Sequence, residues 1–107
     1  MISQETEHKN AGRFAFYAAR DASMNHAINA SRFTDAQKLK AERVKLALEM
    51  VYSADDFSIT NNKTFIRVKV HNGIVRNKKM LVLFEADWAK DGISRKLTKQ
   101  GIIYCVK

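Results

Sequence analysis

The residues with the clearest chemical potential lie between Lys63 and Lys79, in the run KTFIRVKVHNGIVRNKK. Lys63, Arg67, Lys69, Arg76, Lys78 and Lys79 fall within it, with His71 among them and no Asp or Glu. Clustered guanidinium and ammonium groups bind anions, and phosphate suits them best. It accepts the planar Arg fork through two hydrogen bonds and Lys as a point charge. Phe65 shares the two-residue register of Lys63, Arg67, Lys69 and His71. An aromatic ring among cations is the composition of a single-strand platform, on which bases stack while cations follow the backbone. Packing beneath a neighbouring segment or in a dimer interface is the alternative role for Phe65. A second basic group follows, Lys90, Arg95, Lys96, Lys99 and Lys107. Arg95, Lys96 and Lys99 read either as a solvated face or as a further contact surface.

Signatures of catalysis are missing from the chain. Its four glycines, at 12, 73, 92 and 101, are too scattered for a phosphate loop. His8, His26 and His71 lack metal-ligand spacing, and a single cysteine forms neither a disulfide nor a multi-cysteine zinc site. Cys105, inside the apolar run IIYCV, reads as a buried small hydrophobe. Asp55 and Asp56 with Glu85 and Asp87 are the one acidic set that would serve a small metal-dependent nuclease. Loop and strand-end acids are the simpler reading. No cofactor is implied.

The formal charge is +8, from 19 Lys and Arg against 11 Asp and Glu. The charge is unevenly placed. Residues 1–62 hold eight of each sign, whereas residues 63–107 hold eleven cations against three acids. This asymmetry implies a molecule with one positive side, suited to nucleic acid or an acidic protein surface. The N-terminus, MISQETEHKN, has no apolar stretch of a signal peptide, and no run reaches the length of a spanning helix. A cytoplasmic protein without membrane contact is the resulting expectation.

Positioning these residues requires a fold, and 107 residues with 46% hydrophobic content are enough for one domain. Residues 1–11 are polar and read as a loose lead-in, leaving 12–107 as a single domain. Residues 12–32 are rich in alanine and read as a helix, with a short strand over Arg13–Ala18 as the alternative. Phe14, Tyr17, Ala18 and Ile28 share a face that Asp21 and Asn25 interrupt. Thr34 begins the clearest helix, as an N-cap with Gln37 completing a capping box. Leu39, Val44, Leu46, Leu48, Met50 and Val51 give that helix an apolar arc wide enough for more than one neighbour. It should end near Tyr52. From Lys63 to His71 apolar and polar residues alternate as in a strand, with Ile66, Val68 and Val70 on one face. Asn72-Gly73 signals a tight hairpin. The run MLVLFEA, 80–86, reads as a strand buried on both faces. Ile93 and Leu97 suggest a short helix capped by Gly101, and Ile102–Val106 a last strand.

The order implies an α+β fold: a small, mainly antiparallel sheet of about three strands, two N-terminal helices and a short helix before the last strand. A tight hairpin at Asn72-Gly73 would set Lys69 against Arg76 and Arg67 against Lys78. Such like-charge pairs are destabilising unless the loop lengthens, the charges splay, or an anion bridges them. The residues that would then contact nucleic acid are Lys63, Phe65, Arg67, Lys69, His71, Arg76, Lys78, Lys79, Arg95, Lys96 and Lys99. Tyr17, Trp88 and Tyr104 are further aromatics for such a surface. The expectation is a non-catalytic nucleic-acid-binding protein, with RNA or single-stranded DNA preferred because the charge lies on a strand rather than a recognition helix. The alternative is a regulatory interaction module, such as a virus-encoded inhibitor or adaptor, that docks its basic face on an acidic or nucleic-acid-binding protein. An exposed Phe65, or a final strand at the sheet edge, would also allow a homodimer.

Overall fold

The computed structural model describes residues 19–71 and 75–107. The lead-in, the Arg13–Ala18 alternative and the Asn72-Gly73 turn lie outside them. The chain is α+β: the described residues form three α-helices and a four-stranded antiparallel sheet. Helix α1 is described over residues 19–28. Helix α2 spans Asp35–Val51, and a 3-10 turn, Ala54–Asp56, leads into strand β1, Phe57–Asn61. Strand β2 is Ile66–Val70, helix α3 Lys78–Lys90, strand β3 Ser94–Thr98 and strand β4 Gly101–Val106. The strand order is β1-β2-β4-β3.

Helix α2 starts where its sequence places the start. The Thr34 hydroxyl accepts a hydrogen bond from the Gln37 N–H at 3.1 Å, satisfying one of the unpaired donors of the first turn. Gln37 does not complete the box. Its buried amide instead donates to the carbonyls of Thr64 and Val106, at 3.1 and 3.0 Å, and ties α2 to the sheet. The helix ends at Tyr52, whose N–H donates to the Leu48 carbonyl. Val44, Leu48 and Val51 are fully buried, and α2 meets both α3 and the sheet. The apolar arc is wider than these neighbours cover, because Leu39, Leu46 and Met50 stand in solvent.

Asp21 and Asn25 do not merely interrupt α1. Both reach the buried ammonium of Lys45, Asp21 at 2.7 Å and Asn25 at 3.2 Å, with Glu49 at 3.6 Å. Burial alone lowers the Lys45 pKa. The Asp21 hydrogen bond and the nearby carboxylates outweigh it, and the net direction is upward. Helix α1 also covers the outer edge of β1. Arg20 donates to the Phe57 carbonyl, and the Asn61 amide donates to the Ala27 carbonyl at 2.8 Å.

Three sequence expectations are corrected. The run 80–86 is helical, inside α3. Along this helix Leu81, Phe84 and Trp88 repeat at helical spacing, and Leu81 and Trp88 are buried. The Asn77 side chain caps the helix by accepting from the Met80 N–H at 3.0 Å. The expected short helix around Ile93 and Leu97 is β3. Gly92, at φ +79°, ends α3 in the left-handed conformation, and the Ile93 N–H closes back on the Trp88 carbonyl at 2.9 Å. Finally, β2 forms its hairpin with β1, through residues 62–65. The Asn62 side chain accepts from the N–H groups of Thr64 and Phe65, an Asx turn that fixes the reversal.

The sheet buries Phe57, Ile59, Ile66, Val68, Val70, Tyr104 and Val106 against the helices. Tyr104 meets Trp88 edge-on, with ring centroids 5.1 Å apart. Strand β4 is interior, between β2 and β3, so the final strand is not an open edge.

Candidate nucleic-acid interface

Strand alternation gives the sheet a second face. With β2 register as reference, one cross-strand row is Thr60, Arg67, Cys105, Ser94. The next is Ser58, Lys69, Ile103, Lys96. These residues share the side opposite the buried Val68 and Tyr104. On that side Thr60, Arg67, Ser94 and Lys96 are exposed, and Ser58, Lys69, Ile103 and Cys105 are half-buried. None of the four strands contains an Asp or Glu.

The cations here are arranged by the pleat. Arg67 and Lys69 lie on one face of β2, two residues or about 7 Å apart, and Lys96 stands two strands from Lys69, about 10 Å across. Phe65 precedes β2 in the same register, half-buried, with the Arg67 guanidinium 5.8 Å from its ring centroid. Lys63 is exposed in the β1–β2 turn. At the other end of β2, His71 is exposed, its Nε2 hydrogen-bonded with the Ser58 hydroxyl at 3.1 Å. The Lys69 ammonium donates to the Gln100 amide oxygen at 3.1 Å, and Lys99 lies in the adjoining β3–β4 turn. Ion pairs among the described residues join Arg20 to Asp55, Lys45 to Asp21 and Glu49, and Arg95 to Glu85. Arg67, Lys69 and Lys96 take part in none of them.

The basic residues expected to form one group are therefore separated. Phe65, Arg67, Lys69, His71 and Lys96 come together on the open face, with Lys63 and Lys99 in turns at its ends. Arg76, Lys78 and Lys79 do not join them. Arg76 donates from its backbone to the Val51 carbonyl and from its guanidinium to the Ser53 hydroxyl. Lys78 and Lys79 open α3, in the helical layer. The expected Lys69–Arg76 and Arg67–Lys78 pairings are replaced: Lys69 lies between Ser58 and Ile103, and Arg67 between Thr60 and Cys105. Arg95 has core-facing register opposite Tyr104 and pairs with Glu85 at 2.5 Å.

Aromatic expectations divide in the same way. Trp88 and Tyr104 are core residues, and Tyr17 lies outside the described residues. Burial, then the Glu85 carboxylate, pushes the Tyr104 hydroxyl strongly upward. It donates to Glu85 at 3.1 Å. Cys105 is half-buried on the open face rather than in the core, opposite Arg67. Alternation within IIYCV marks this placement, since Tyr104 and Val106 are the buried members. Asp55 and Asp56 precede β1 while Glu85 and Asp87 lie on α3. Among the described residues no three His, Cys, Asp or Glu side chains converge as metal ligands. Nor is any described helix long and apolar enough to cross a membrane.

Scans against protein-family models, curated proteins and solved structures find no match to this chain.

Proposed function

We propose that the open sheet face binds single-stranded nucleic acid, RNA or DNA, without catalysing its conversion. One observation carries the reading: Arg67, Lys69 and Lys96 share a face that has no strand carboxylate and makes none of the described ion pairs. Like charges held this way repel one another, and a phosphate backbone relieves that repulsion while releasing its counterions. Phe65 supplies a ring on which one base stacks, and Ile103, two rows further along the face, a separate apolar surface. Ser58, Thr60, Ser94 and Gln100 add hydrogen-bonding groups. An extended strand lies over a flat sheet more readily than a duplex does, because its bases are free to stack on side chains.

The test is a fluorescence titration at low salt with labelled single-stranded and duplex oligonucleotides. Single strands should bind more tightly. Phe65→Ala should weaken their binding by about 1–3 kcal/mol, the value of one stacked base, and affect duplex less. Parent protein that binds neither at low salt contradicts the proposal.

A further inference from the structure

The helical layer carries a separate surface beyond the nucleic-acid reading. Sequence MLVLF puts five apolar residues in succession on α3, more than one buried stripe requires. Val82 and Leu83 are the surplus, 57% and 68% exposed. Lys78 and Lys79 precede them by four residues each, so each aliphatic side chain sits one helical turn from an ammonium. These four residues line an open depression of about 590 Å³. No acid occupies the first turn of α3, and neither lysine pairs with a carboxylate among the described residues.

Both lysines oppose the helix dipole, which favours acids at this end. Local helix stability therefore does not account for their placement. From this combination we infer that the Lys78, Lys79, Val82, Leu83 surface docks an acidic amphipathic segment of a partner protein. The partner would carry aliphatic side chains for Val82 and Leu83, and a carboxylate one turn from each for Lys79 and Lys78. Charge complementarity selects this occupant. A second copy of the chain would bring the same two lysines to the contact and repel. A bilayer would gain little from two aliphatic side chains. An amphipathic segment that lays its apolar face on Val82 and Leu83 would use the helix-in-groove mode of recognition, with the two lysines at one end.

The experiment uses the full chain and a fluorescent synthetic helical peptide with Leu and Glu at repeated one-turn spacings. Two control peptides replace every Glu with Lys or every Leu with Ser. The acidic amphipathic peptide should bind and both controls should fail. Val82→Ser with Leu83→Ser, and separately Lys78→Glu with Lys79→Glu, should each weaken binding by about tenfold or more. The charge-reversed variant should melt no lower than the parent, because it improves the dipole interaction, so lost binding is not lost folding. Oligonucleotide affinity should be unchanged in the Val82→Ser, Leu83→Ser variant, which keeps failure of this surface distinct from failure of the sheet face. The inference is overturned if the acidic peptide does not bind, or binds both variants like the parent. It is equally overturned if the surface instead takes up anionic lipid vesicles or drives concentration-dependent self-association in sedimentation.

Discussion

Tyr104, Tyr52 and Lys45 are the described groups whose protons the fold holds more tightly than the free side chains do. Burial and the Glu85 charge raise the two hydroxyls, and the carboxylates around Lys45 raise its ammonium. Each group holds its proton more tightly folded than unfolded. Their contribution is present in full below the ordinary tyrosine and lysine range and is lost as pH climbs above about 10. Melting temperature should therefore fall steeply above that pH. Tyr104→Phe should lower stability at neutral pH, through loss of the Glu85 hydrogen bond, yet flatten the alkaline decline. A variant whose alkaline slope equals the parent's would show that Tyr104 is not the buried hydroxyl described. Cys105 gives a second residue-level check. Half-buried opposite Arg67, it should react with a small thiol reagent in the native protein, more slowly than after denaturation. A bound single-stranded oligonucleotide should slow that reaction further, and labelling that ignores the oligonucleotide would move the interface off this face.

Among the elements, α2 is the one on which the core depends. Leu48 is fully buried between sheet and helices, so Leu48→Ala should cost roughly 2–5 kcal/mol in denaturant unfolding. An unchanged midpoint would mean the helix is packed otherwise. This element was legible because its cap, periodicity and end are local signals. Strand β2 was legible for the same reason, its alternation reporting which side faces the core. Helix α3 was not. Val82 and Leu83 fill the gaps between Leu81, Phe84 and Trp88, and the uninterrupted run hides the helical period. Strand β3 was missed because SRKLT lies at an exposed edge, where Arg95 and Leu97 keep the core-facing register without being buried. Alternation is enough to put the β2 half of the basic run on one face of the strand. The half at Arg76, Lys78 and Lys79 is not legible in this way, because the Asn72-Gly73 signal points to a return strand where the chain leads into a helix.

At the scale of the whole molecule, the fold divides the excess positive charge of residues 63–107 between the sheet and the helical layer. The described acids lie on helices, helix ends and the 3-10 turn, and the sheet is left without any. Function should follow this division. The most direct measurement is the salt dependence of binding to a single-stranded oligonucleotide, for the parent and two triple variants. Arg67→Gln with Lys69→Gln and Lys96→Gln removes three phosphate contacts. It should lower the slope of log affinity against log salt by about 2, from roughly 0.7 for each contact on a single strand. The variant carrying Arg76→Gln, Lys78→Gln and Lys79→Gln loses the same formal charge from the helical layer and should keep the parent slope. Equal slopes for the two variants would contradict the account, since binding would then depend on total charge and not on the open face of the sheet.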